Sequence, residues 1–148
     1  MIFRSSHYDP CKVVKSFLES SNYPLTADDW FVKLGGTQKD VEGYKPYQDT
    51  FDEVIWADAK RIPTDKCGIS SIPMIHNAFS RILCKYHYDE HKEIQYTQGY
   101  FYIVCMIYRK FMLTRKTYYP LSNEDEAKVY FIYVKFLEII GEIGRAHV

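Results

Sequence analysis

The chain has 148 residues, 47% hydrophobic and 26% charged, which fits one globular domain able to bury a core. Nineteen basic residues balance nineteen acidic ones, and a formal net charge of zero argues against nucleic acid as a partner, because phosphate binding rests on a basic surplus. No stretch approaches the roughly 18 consecutive apolar residues of a membrane span, the opening Met1–His7 lacks a signal-peptide apolar region, and the cysteines at 11, 67, 84 and 105 form no Cys-x-x-Cys pair, so reduced thiols in a cytoplasmic protein are expected rather than disulfides or a zinc site.

Along the chain the signals are helical, and no Asn-Gly or Asp-Gly hairpin turn interrupts them. Asp9-Pro10 reads as an N-cap and first helical position, and Val13, Val14, Phe17 and Leu18 recur at helical spacing until Ser20-Ser21-Asn22. Thr26-x-x-Asp29 has the form of a capping box before Trp30, Phe31, Val32 and Leu34, and Gly35-Gly36 closes that element. The polar stretch from Thr37 to Pro46 predicts a loop. A third helix opens near Asp49 or Thr50, sets Phe51, Val54 and Ile55 on one face, and ends near Arg61, because Pro63 disfavours helix at residue 62.

Residues 62–71 read as a loop. Ser71 and Pro73 then open the clearest amphipathic helix, with Ile75, Phe79, Ile82, Leu83 and Tyr86 on one face. Polar residues 87–93 predict a connection. The apolar run from Tyr100 to Tyr108, continued by Phe111, Met112 and Leu113, is too long for an ordinary strand and predicts a buried helix. Ser122-x-x-Asp125 caps a last helix through Ile140, closed by Gly141. The expected fold is therefore all-α, an irregular domain of about six helices. Aromatic residues make up 17% of the chain, 14 of them tyrosines, which supply rigid core side chains and are candidates for a partner surface.

Two segments carry chemistry. In Ile55-Trp56-Ala57-Asp58-Ala59-Lys60-Arg61, an apolar residue, a carboxylate and a guanidinium follow one another at helical steps of three along one edge, ending where the helix frays and an Arg can reach outward. Alone, Asp58 and Arg61 describe an ordinary surface ion pair of little energetic weight. In Tyr96-Thr97-Gln98-Gly99, a carboxamide able both to donate and to accept stands just before the buried helix; alone, Gln98 is a helix-start residue and Gly99 a turn residue. His76, His87 and His91, with Cys84, lack nucleophile or ligand spacing. They read as polar, solvated positions and receive no role.

Taken as an ordered pair, the two segments resemble the TBC domain of Rab GTPase-activating proteins, which carries an IxxDxxR segment followed at a similar distance by YxQ. Phe79-Ser80-Arg81-Ile82-Leu83-Cys84-Lys85-Tyr86 is similar to the family's intervening helix, of the form apolar-x-x-Ile-Leu-x-x-Tyr, and the helices expected after Gln98 keep the family's order. Trp30 matches the Trp of the family's first RxxxW motif, with Thr26 in place of its Arg. Ile62 stands where the family has Thr, and Gln95-Tyr96-Thr97-Gln98-Gly99-Tyr100-Phe101 replaces the usual Gly-Tyr-x-Gln-Gly-Met-Asn. The resemblance covers most of residues 1–148, as a single TBC-like helical domain, and corresponds to the N-terminal half of the family's domain.

The resemblance implies activation of GTP hydrolysis by a Rab-type GTPase. Arg61 would be the arginine finger and Gln98 the glutamine finger that orients the water. Asp58 would position Arg61, Tyr96 would hold the loop that bears Gln98, and Ile55 and Gly99 would support the two segments. An arginine finger is worth about 10³–10⁵ in rate, roughly 4–7 kcal/mol. The GTP and its magnesium would belong to the partner, with no cofactor or metal held by this chain. Recruitment to endomembranes would come only through the Rab. The alternative is a non-catalytic TBC-like binding or scaffold module whose tyrosines serve a protein surface. The apolar run Val129-Tyr130-Phe131-Ile132-Tyr133-Val134 has no polar side, which predicts self-association or a second chain covering the place of the missing half.

Overall fold

In a computed structural model of the chain, the structure describes residues 26–48, 53–60, 73–117 and 120–146. The helix expected over residues 10–21, Cys11, Arg61, Ile62 and Cys67 lie outside these. The fold is all-α, and among the described residues no strand forms. Helix α1 covers Ala27–Lys33, with the expected capping box in place: the Thr26 hydroxyl accepts from the Asp29 amide at 3.1 Å, and the Asp29 carboxylate accepts from the Thr26 amide at 2.9 Å. The helix ends where Gly35 adopts φ +90°, and the Gly36 amide turns back to the Phe31 carbonyl at 2.8 Å. A Cβ on Gly36 would lie 2.4 Å from the Phe31 ring, so this close approach requires glycine.

Helix α2, Gln38–Gly43, corrects the predicted loop. Its start is held by Asp40, whose carboxylate accepts from both the Thr37 amide and hydroxyl at 2.8 Å. Only Val41 of this short element is buried, too faint an apolar period to read from sequence. Helix α3, Glu53–Lys60, falls inside its expected span. It buries Ile55, Asp58 and Ala59 and leaves Val54 outward, against the expectation that Val54 shares the Ile55 face.

Helix α4, Pro73–Cys84, is the predicted amphipathic helix, with Ile75, Phe79, Ile82 and Leu83 all fully buried. Instead of ending in a polar connection, it runs on into a π turn, Lys85–Glu90, which the His91 amide closes by donating to the Tyr86 carbonyl five residues back at 2.7 Å. Tyr86 and His87 both face inward from this turn. Helix α5, Gln98–Arg115, is buried on most sides through Phe101, Val104, Tyr108 and Phe111. Helix α6, Asn123–Ala146, starts as predicted, with the Asp125 amide donating to the Ser122 hydroxyl at 3.2 Å. It passes through Gly141 instead of stopping there, since a mid-helix glycine costs only about 1 kcal/mol against alanine.

Aromatic edges lock these helices together. Phe79 of α4 meets Phe101 and Tyr108 of α5 at 5.3 and 5.0 Å, and Trp30 and Phe31 of α1 meet Phe136 and Phe131 of α6 at 5.7 and 5.2 Å. Such pairs add roughly 0.5–1.5 kcal/mol beyond area burial. Two ionic ties cross the same frame. Glu126, 1% exposed, accepts from the Arg81 guanidinium at 2.7 Å and from the Tyr44 hydroxyl at 2.6 Å. Arg115 grips Asp28 and Asp125 at 2.6 and 2.8 Å, and its hydrogen bond holds the Asp28 carboxyl down at about 2.

Tyr86, Tyr96, Tyr100, Tyr108, Tyr130 and Tyr133 are buried and build the interior rather than a partner surface. Within the run 129–134, the chain itself buries Val129, Tyr130, Ile132 and Tyr133, leaving Phe131 and Val134 part-exposed. Among the described residues, no helix is long and apolar enough to cross a membrane.

Candidate functional site

The first motif segment sits on α3, where a helical turn separates Ile55, 0% exposed, from Asp58, 7% exposed. Asp58 was expected on an open helix edge beside Arg61. It is instead turned into the fold, because the helix packs this face inward along with Ile55 and Ala59. Arg61 lies outside the described residues.

The second segment leaves the π turn through residues 91–97 and enters α5 at Gln98. Tyr96 points inward from this loop and donates its hydroxyl to Asp58 Oδ2 at 2.6 Å, a buried bond between residues 38 apart in sequence. Burial, and then the Asp58 carboxylate, push the Tyr96 phenol well above its ordinary range, so it remains a donor at any ordinary pH. The bond joins the two segments through their buried members.

Gln98, two residues on, stays at the surface as the first residue of α5, with Thr97 at the cap position. Its Nε2 donates to the Tyr102 hydroxyl one turn along at 3.1 Å. Gly99 is half-buried beside it. The structure thus brings Ile55, Asp58 and Tyr96 into one buried group and places the Gln98 carboxamide at its outer edge. Chemically, a carboxamide here can accept from and donate to a bound polar group such as water.

His87 and His76 are buried, against the expectation of polar, solvated positions. His87 is 2% exposed, in the layer directly behind Tyr96. Its ring lies 5.7 Å from that of Tyr96 and 4.9 Å from that of Tyr100. Nδ1 stands 2.8 Å from the Ile94 carbonyl, which can only accept, so Nδ1 carries the proton and Nε2 accepts from the Tyr133 hydroxyl at 2.7 Å. Burial, reinforced by nearby His91, outweighs the Ile94 bond and lowers the His87 pKa to about 4, so the ring is neutral near pH 7. His76, also read as polar, is 4% exposed, packs edge-on against Trp56 at 5.7 Å, and has its pKa lowered by burial. His91 is half-exposed and stacks on Tyr86 at 4.3 Å. His87 follows the buried Leu83 by four residues, so helical spacing puts it on the apolar face, but the charged and polar residues around it, Lys85, Asp89 and Glu90, mask that signal.

A separate open cavity of about 380 Å³ lies between α2, the π turn and α6. Lys39, Tyr44, Lys85, Tyr130 and Phe131 stand in its walls, with the Lys85 ammonium 5.6 Å above both tyrosine rings. None of the described residues of the IxxDxxR-like and YxQ-like segments lines it. Among the described residues, no group of three or more His, Cys, Asp or Glu side chains is arranged to hold a metal ion. No family model, curated protein or solved structure matches the chain.

Proposed function

We propose that the chain is a TBC-like activator of a Rab-type GTPase, supplying Arg61 and Gln98 in trans to a GTP and magnesium that the partner holds. The observation that carries this reading is the buried Tyr96–Asp58 hydrogen bond at 2.6 Å, which ties the IxxDxxR-like segment to the YxQ-like segment while leaving Gln98 at the surface beside it. A finger needs a rigid base and a free end. Tyr96 and Asp58 supply the base for the loop, and the exposed carboxamide is the free end.

In this mechanism the Arg61 guanidinium neutralises charge developing on the transferred phosphoryl group, and the Gln98 carboxamide accepts from the attacking water and donates to a phosphoryl oxygen. Gln98 gives up only the exposed bond to Tyr102 on engaging, so little stability opposes its swing.

The test is single-turnover GTP hydrolysis across a panel of GTP-loaded Rab-type proteins. Wild type should accelerate at least one. Arg61→Ala should lower the stimulated rate by about 10³-fold or more, and Gln98→Ala by roughly 10²-fold. If no GTPase is accelerated, or both variants match wild type, the catalytic reading fails. Capture of a GTPase with no acceleration would favour a non-catalytic binding module.

A further inference from the structure

The loop that carries Tyr96 and Gln98 is held from two sides. On one side Tyr96 reaches α3 through Asp58. On the other, two residues earlier in the loop, the Ile94 carbonyl accepts from His87 Nδ1–H at 2.8 Å, and His87 is in turn held from α6 by the Tyr133 hydroxyl at 2.7 Å. His87 is 2% exposed and Tyr133 0%. His87 follows the buried Leu83 by one helical step of four, which turns it inward beside Tyr86. A simple apolar filler would give the same burial without the two oppositely directed bonds. An imidazole in the Nδ1–H form is the residue that can donate forward to the loop and accept from the helix behind it at once.

We propose that His87 is the positioning residue for the Gln98 loop: it fixes residues 94–97, and with them the direction of the Gln98 side chain, by relaying a hydrogen bond from Tyr133 to the Ile94 carbonyl. The functional half of this inference rests on the GTPase-activating reading; the structural half does not. His87 touches no reacting group and acts through the loop.

Asparagine and glutamine separate the two bonds. The Asn amide nitrogen falls near the position of Nδ1 and preserves the bond to Ile94. The Gln amide falls near Nε2 and preserves only the Tyr133 side. In the full chain, circular dichroism should show both variants folded. His87→Gln should speed hydrogen exchange of the Ile94 amide, which is bonded to the His91 carbonyl, by roughly tenfold, and His87→Asn should keep it near wild type. With an accelerated GTPase, His87→Gln should lower the maximal stimulated rate roughly tenfold with little change in the half-saturating concentration, and His87→Asn should restore it.

Nitrogen NMR of wild type should report the Nδ1–H tautomer. Equal behaviour of the Asn and Gln variants, unchanged exchange at Ile94 in His87→Gln, or the Nε2–H tautomer would each overturn the assignment. If no GTPase is accelerated by wild type, the activating reading falls, and the exchange and tautomer measurements still decide the role of His87.

Discussion

Tyr96 and His87 carry the most consequence per atom. Tyr96→Phe removes one hydroxyl and takes a donor from the 7%-exposed Asp58 carboxylate. The expected loss is about 1–3 kcal/mol, read as a lower urea midpoint with an unchanged slope; no change in midpoint would show that the bond is not formed in solution. His87 makes stability depend on acid. Its folded pKa of about 4 lies below the ordinary 6.5, so the unfolded chain takes up a proton that the folded chain refuses. Its contribution is therefore whole above pH 6.5, declines as the pH falls toward 4, and then levels about 3 kcal/mol lower. Urea melts between these pH values should show that slope in wild type and a flatter one in His87→Asn. Equal slopes would contradict the burial of a neutral ring. Neither residue announced this in the sequence. Tyr96 stood out only as part of a family-like motif, and its partner is 38 residues away. His87 is flanked by charged and polar residues that look solvated.

Among the elements, legibility followed the strength of the apolar period. Helix α4 could be read because Ile75, Phe79, Ile82 and Leu83 repeat at helical spacing, and all four are buried. Helix α2 could not, with Val41 as its single buried residue. The end of α6 was misplaced because a glycine stops a helix only where the chain needs a left-handed turn, as at Gly35. The ionic ties were also invisible, since Arg81 and Glu126 look like surface charges until α4 and α6 are packed together. Glu126 is 1% exposed, so Arg81→Ala should leave a buried carboxylate without its counter-ion, with the Tyr44 hydroxyl still donating to it, and cost about 3 kcal/mol. The double variant Arg81→Met with Glu126→Leu should recover most of that loss in thermal melts. A single variant within experimental error of wild type would show that the pair is worth little.

For the whole molecule, the aromatic surplus has become a hydrogen-bonded interior. Burial raises the phenols of Tyr100 and Tyr108 to about 12, and pushes those of Tyr44, Tyr86, Tyr96, Tyr130 and Tyr133 higher. These groups favour the fold below their ordinary value of 10, and that support is lost as the pH rises through their folded values. Tyrosinate absorbance should therefore rise in two phases, exposed phenols first and the buried set together with the loss of helix. A single phase near 10 with the helices intact would contradict the packing. The π turn gives the molecule a different kind of control. Each residue advances a helix by about 100°, so a turn holding one residue more than an α turn works like a gear with one added tooth. Deleting any one of Tyr88, Asp89 or Glu90 would let that turn rewind and swing the 91–97 loop around the axis. The course of residues 91–97 is thus tied to the length of a helical turn as well as to the side chains in it.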